Sequence, residues 1–256
     1  MSAVVAMIHP RREARTAVKR GYPRAAGAVR LCRGLDALHR TLEQRLVDAV
    51  VVDVKGAGAP VLELAARFPG IPFLMFSAIR PEDAPLVARA CAAGFRGVLL
   101  EGVDNAVAGE WIAARTAQRA RRAALADAPR LLRLTEPIQL DAWDEVLRRV
   151  AMPTRTAHVA QALRVTREHL SRQFAAGGAP NLKRVIDLAR MACAADLLGN
   201  PGYSVGTVAR ILGYASPSHL TGAARRVTGE GAQALRGLGA RGVLQRFLRG
   251  RTRSRP

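Results

Sequence analysis

Two segments of this 256-residue chain carry the side chains best suited to grip a polyanion. The first, AHVAQALRVTREHLSRQF, runs from Ala157 to Phe174; the second, SVGTVARILGYASPSHLTGAARRVTG, runs from Ser204 to Gly229. In each, a short run with an apolar helical face leads through a tight turn into a second run with basic outward positions. Those positions include Arg167 and Arg172 in the first segment, and Arg225 and Arg226 in the second. Guanidinium groups stay charged at neutral pH and present forked donors that match phosphate oxygens. The chemistry on offer is therefore noncovalent. No Ser/His/Asp set and no paired-carboxylate arrangement can be picked out, so a catalytic site has no support and no cofactor is expected. The stretch Lys55–Pro60 contains glycine but lacks the spacing and the Lys-Ser/Thr ending of a phosphate loop. His9 has no second ligand at metal-binding spacing and reads as a turn or capping residue, so no metal site is expected.

The elements that must position the arginines are legible in the same segments. Val159 and Leu163 lie four apart, as do Leu170 and Phe174, so each pair shares a helix face. Ala160 is small enough to let two helices approach. Thr166 can accept from an orphan N–H and so start the second helix. In the later segment Ser204 caps a helix whose stripe is Val205, Val208, Ala209 and Leu212. Gly213 sits where the turn needs positive φ. Ser216-Pro217 is a capping hydroxyl followed by proline at the first helical position. Between the two units, Asn181–Leu198 keeps Leu182, Val185, Ile186, Ala189, Cys193 and Leu197 on one face, with Lys183, Arg184, Asp187 and Arg190 on the other. A helix of that length spans roughly 27 Å, near the ~34 Å of one DNA turn. Two successive major grooves on one side of a duplex are the natural target.

On these residues the chain resembles the AraC-type transcriptional regulators over about Leu140–Arg236, with Ser204–Gly229 and the Leu170–Phe174 helix as the most specific parts. The resemblance implies an all-α tandem helix-turn-helix domain whose two second helices enter the major groove. Carried over, the base-facing positions are Glu168, Ser171 and Arg172 in the first unit, beside Arg167. In the second they are Pro217, Ser218, Thr221 and Gly222. Gly222 and Ala224 stand where an arginine and an aromatic are usual, and Ala232 and Leu235 replace a proline and a tyrosine. The second unit is thus expected to hold phosphate, through Arg225 and Arg226, more than it reads bases.

The charge agrees with such a target. The chain carries +20, with 19 basic and 12 acidic residues before position 128 and 21 against 8 from there on. A surplus gathered in the C-terminal half is the footprint of a polyanion partner. The basic residues are nearly all arginine, a usage that genome composition explains as well as function does.

The front half alternates short apolar runs with helical ones. The runs are Val4–Ile8, Ala28–Cys32, Ala49–Val54, Phe73–Phe76 and Gly97–Leu100. Helical spacing fills Arg11–Arg20, Leu35–Arg45, Pro60–Phe68, Asp83–Ala93 and Asp104–Arg122. That alternation predicts a five-stranded parallel sheet covered on both faces. The pattern resembles the receiver domain of response regulators, a flavodoxin-like fold. The resemblance would make Asp53, ending Val50-Val51-Val52-Asp53, the candidate phosphoacceptor, and Ser77 matches the expected hydroxyl. The remaining chemistry is missing. No acid precedes Glu13, and Glu101 stands where a lysine is usual. One carboxylate is a poor Mg²⁺ site, and phosphoryl transfer depends on that metal and its positioning groups. We expect a degenerate receiver in which Asp53 is a structural strand-end residue.

The domains expected are a receiver-like unit over 1–122, a helical, proline-containing linker over 123–139, the DNA-binding domain over 140–237, and a disordered basic tail over 238–256. Glu110–Asp127 reads as one Ala/Arg helix with Arg115, Arg119, Arg121 and Arg122 directed away from its small-residue stripe. Asp141 is expected to cap a helix through Arg149. Cys32, Cys91 and Cys193 read as reduced core residues. No basic-then-apolar leader opens the sequence and no apolar run approaches the ~20 residues of a membrane helix, so a cytoplasmic location without membrane contact is expected. Double-stranded DNA is the expected partner, RNA polymerase is compatible with the resemblance, and a homodimer has two routes, the front domain or the 105–125 helix. Two alternatives stay open: a phosphorylation-dependent response regulator, and a nonspecific DNA-packaging protein.

Overall fold

The computed structural model describes residues 4–175 and 178–252, with side chains through residue 250. Two compact units divide the described residues: 4–120 with 200–202, and 121–175 and 178–199 with 203–252.

The first unit is built on β1 (Val4–Ile8), β2 (Ala28–Leu31), β3 (Val47–Val52), β4 (Phe73–Ser77) and β5 (Phe95–Leu100). All four pairings are parallel and the order is β2-β1-β3-β4-β5. β3 and β4 are buried along their whole length, which requires cover on both faces and accounts for their apolar runs 49–52 and 73–76. The edge strand β2 is largely exposed. Helices α1 (Arg12–Gly21), α2 (Leu35–Gln44), α3 (Val54–Ala57), α4 (Ala59–Arg67), α5 (Ala84–Ala92) and α6 (Ala108–Ala113) complete the alternation. Ala14 and Val18 of α1 join Val5, Met7, Val51, Leu74 and Phe76 in one core cluster with Ala108 and Ile112 of α6. α6 comes so near α1 that a Cβ on Gly109 would lie 2.0 Å from the Gly21 carbonyl carbon.

Three expectations fail in this unit. Residues 53–54 leave the strand early: Asp53 precedes a one-turn helix, and most of the glycine-containing stretch 55–60 is helical. The helix expected over 104–122 is interrupted. α6 ends at Ala113 and α7 (Ala117–Ala124) begins after Thr116, whose Oγ1 accepts from the Arg119 N–H at 3.4 Å. Cys91 is exposed, although Cys32 and Cys193 are buried and all three thiols are free.

The second unit is helical: α8 (Ala128–Leu131), α9 (Pro137–Arg148), α10 (Thr156–Ala162), α11 (Arg167–Ala175), α12 (Leu182–Leu198), α13 (Val205–Ile211), α14 (Pro217–Thr228) and α15 (Gly239–Thr252). The expected linker is part of it, because Leu125, Ala128, Leu132 and Leu134 are all buried. Asp141 caps nothing. α9 starts at Pro137, and the Gln139 side-chain Oε1 receives the N–H groups of Thr135 and Glu136 at 2.8 and 3.1 Å. Most of the expected tail is likewise ordered. α15 buries Ala240, Val243, Leu244 and Phe247 and packs on α12 and α14, so the arginines between those apolar positions are the outer face of a docked helix. Residues 253–256 lie outside the described residues. α12 is buried nearly all round because α9, α13, α14 and α15 cover different sides of it.

Candidate functional site

Two local geometries in the C-terminal unit are near copies. After α10, Arg164 takes φ +56°, and the Val165 N–H reaches back to the Ala160 carbonyl at 3.0 Å. After α13, Gly213 takes φ +66°, and the Tyr214 N–H reaches the Ala209 carbonyl at 2.8 Å. Both helices thus end in a left-handed residue that closes the last turn. The next helix is then capped by a hydroxyl: Thr166 Oγ1 accepts from the His169 N–H at 3.1 Å, and Ser216 Oγ from the His219 N–H at 3.2 Å. Ser204 Oγ caps α13 through the Thr207 N–H at 3.0 Å, while at α10 it is His158 Nδ1 that accepts, from the Arg155 N–H at 3.2 Å. Leu170 and Phe174 turn α11 inward, as Leu220, Ala223 and Ala224 turn α14.

With the caps aligned, the outward positions correspond. Glu168, Ser171 and Arg172 on α11 match Ser218, Thr221 and Gly222 on α14, and Arg167 matches Pro217. Arg167, Glu168, Ser171, Arg172, Ser218, Arg225 and Arg226 are all exposed. Thr221 is half-buried and donates to its own backbone at the Pro217 carbonyl, 3.0 Å away. Among the described residues, Arg167, Arg172 and Arg225 form no ion pair. Arg226 faces Asp187, whose carboxyl is raised above its usual range by burial, against the pull of Arg226, Lys183 and Arg190.

One residue read as solvent-facing is internal. Arg190 is 6% exposed, donates to the Met152 and Leu212 carbonyls at 2.6 Å each, and reaches the Tyr214 hydroxyl at 3.2 Å. It therefore ties the second turn to the loop after α9. Its place four residues after Ile186 and three before Cys193 was the available signal, since that spacing lies within the apolar stripe. Arg121, also expected outward, is buried and donates to Asp196 at 2.8 Å. The Asp196 carboxylate also receives the Ala240 N–H of α15 at 2.9 Å. At the first turn, Arg164 went unnoticed because no glycine marks it.

In the first unit Asp53 stands at the carboxyl end of β3, where Ser77 Oγ donates to its Oδ1 at 2.6 Å. Two charged groups near it, Glu101 and Lys55, are already committed. Glu101 lies 3.6 Å from both His9 Nε2 and Arg11, and Lys55 donates to Asp83 at 2.7 Å. The Lys55 contact, with the Arg80 N–H, holds the Asp83 carboxyl below its usual range. His9 Nδ1 accepts from the Arg11 N–H at 3.2 Å, the capping role expected of it. Among the described residues no group of three His, Cys, Asp or Glu could hold a metal ion. The Mg²⁺ of a working receiver does not fit a corner with one uncommitted carboxylate.

Residues 159–237 match the family model of a helix-turn-helix domain. A search of curated proteins finds no match. Among solved structures, the chain is similar to a response regulator from Thermotoga maritima, with 22% identity, 44% of this chain and 95% of that one covered, and a TM-score of 0.38. It is also similar to full-length FixJ from B. japonicum, at 18% identity over 73% of this chain and 95% of that one, with a TM-score of 0.37. The C-terminal unit carries an AraC-type helix-turn-helix domain, that of a DNA-binding transcription regulator. The sheet order of the N-terminal unit is that of a receiver-like, flavodoxin-type fold. No helix among the described residues is long and apolar enough to cross a membrane.

Proposed function

We propose that the protein regulates transcription by binding specific duplex sites, with α11 and α14 in successive major grooves. The N-terminal unit would act as a sensory, partner-binding or dimerising domain that needs no phosphoryl group. The observation that carries the reading is the duplicated turn, because two similarly capped helices with exposed polar faces sit in one compact unit. Between them, the 17 residues of α12 span about 26 Å, in keeping with grooves one turn apart. Arg167, Glu168, Ser171 and Arg172 would work on the first groove. Ser218 and Thr221 would touch the second, and Arg225 and Arg226 its phosphates. RNA polymerase contact and a homodimer through the N-terminal unit remain compatible additions.

The experiment is selection of bound duplexes from a randomised library, followed by Arg172→Ala on the selected site. We expect one enriched motif, and a loss of about 1–3 kcal/mol on that site with a smaller loss on random DNA. Equal losses on both would reassign Arg172 to phosphate. Absence of any enriched motif would favour the packaging alternative, which draws on Gly222 standing where α11 has Arg172.

A further inference from the structure

A cavity of about 740 Å³ opens at the carboxyl ends of β1, β2 and β3. It lies where the strand order reverses between β1 and β3, the position at which open parallel sheets bind ligands. The whole first turn of α2, Gly34 to Ala37, lines it, and no side chain caps that helix. Arg15, Arg33 and Arg40 line the same space, Arg15 half-buried and donating to the His9 carbonyl at 3.2 Å. Among the described residues Arg33 and Arg40 form no ion pair. Two carboxylates share the wall: Asp36, exposed on the first turn of α2, and Asp53, whose Oδ1 takes the Ser77 hydroxyl. Oδ2 of Asp53 accepts none of the described hydrogen bonds. His9, its side chain fully buried, also lines the cavity, and its Nε2 makes no hydrogen bond.

Two exposed guanidinium groups without an ion pair among the described residues, a half-buried carboxylate and an uncapped helix start line one concavity, with the buried His9 at its wall. Forked guanidinium donors beside an uncapped helix N-terminus fit a phosphate group. The volume far exceeds what one inorganic anion fills and lies within the range of small-molecule sites. Asp53 Oδ2, which accepts none of the described hydrogen bonds, can accept from a ligand hydroxyl. We propose that this cavity binds a phosphorylated polyol or sugar, its phosphate on Arg33, Arg40 and the start of α2, its hydroxyls toward Asp53. The inference rests on the reading that Asp53 receives no phosphoryl group, and it makes the N-terminal unit a sensor of a free organic phosphate.

Isothermal titration of the full chain with glycerol 3-phosphate, ribose 5-phosphate and glucose 6-phosphate tests it, with inorganic phosphate and unphosphorylated ribose as controls. At least one sugar or polyol phosphate should bind saturably at one per chain, about tenfold or more tighter than inorganic phosphate, and ribose should not bind. Arg33→Ala with Arg40→Ala should weaken that binding about tenfold or more, without a change in thermal midpoint. Asp53→Asn should weaken it severalfold and leave inorganic phosphate unaffected. No saturable binding of any of the three would overturn the proposal. So would binding indifferent to the double arginine variant, which would locate the anion on the basic C-terminal unit. Intact mass after incubation with acetyl phosphate and Mg²⁺ tests the underlying reading separately. Phosphorylation of Asp53 would defeat that reading whatever the titrations gave.

Discussion

Arg190 donates in three directions, to the carbonyls of Met152 and Leu212 and to the Tyr214 hydroxyl, from a buried position on α12. Arg190→Met keeps most of the volume and strands both carbonyls, so we expect a loss of about 2–4 kcal/mol in denaturant unfolding. The Tyr214 phenol under its guanidinium is raised by burial, with Arg190 opposing. Glu145 gives a pH-dependent counterpart. Burial pushes its carboxyl up, but the hydrogen bonds from Arg149 and Arg148 outweigh it and leave it below the ordinary range. A depressed carboxyl contributes stability that is present above its unfolded pKa and lost as pH falls through the folded one. Glu145→Gln should therefore lower the thermal midpoint at pH 7, and the gap to the parent should close in acid. A gap of constant size from pH 7 to pH 3 would remove Glu145 from the pH response.

The two turns differ in one residue that matters to the backbone. Gly213 at φ +66° has no side chain, and a Cβ there would lie 2.7 Å from Pro153 Cγ. Arg164 at φ +56° has one, and so bears the left-handed strain. Gly213→Ala should cost about 1–3 kcal/mol, while Arg164→Gly should be neutral or stabilise by up to about 1 kcal/mol. Equal effects from the two changes would mean that the turns are not equivalent. At this scale the sequence was readable wherever caps and periodicity coincided: Thr166, Ser204, Ser216-Pro217 and all five strands. It misled where a partner decided the outcome. The apolar residues of α15, Ala240, Val243, Leu244, Phe247 and Leu248, are set among glycines and arginines, and their amphipathic run over 243–248 is too short to signal the whole helix until α12 is there to cover them. Leu125 to Leu134 read as a linker for the same reason, since burial there comes from tertiary contact and not from local pattern. Of the candidate site, the outward residues of α11 and α14 were legible because exposure follows from helix phase. The Arg190 contacts were not, because a helix buried on nearly every side has no outward face to which an arginine can be assigned, and the Arg121 contact was not, because its partner Asp196 lies 75 residues further along the chain.

Taken whole, the chain carries +20 with the larger surplus in its C-terminal half, and any duplex would attract it. What would separate specific regulation from charge-driven packaging is the fixed distance between the two helices proposed to enter the grooves. α11 and α14 belong to one compact unit, held by a central α12 that packs against α9, α13, α14 and α15. Such a body cannot follow DNA that rotates one half-site away from the other. Inserting about five base pairs between the half-sites turns the second groove to the far side of the duplex, because one turn takes about 10–10.5 base pairs. We expect affinity for that duplex to fall to the level of a single half-site. Inserting a full turn would restore the face but not the ~34 Å spacing, so it should not rescue binding. The phosphate contacts proposed for Arg225 and Arg226 would behave differently. Arg225→Ala and Arg226→Ala should each reduce the salt dependence by about one unit of slope on specific and random DNA alike. A protein that merely coats DNA would tolerate the five-base-pair insertion without loss, and electrophoretic titration of the parent and spaced duplexes at one salt concentration distinguishes the two.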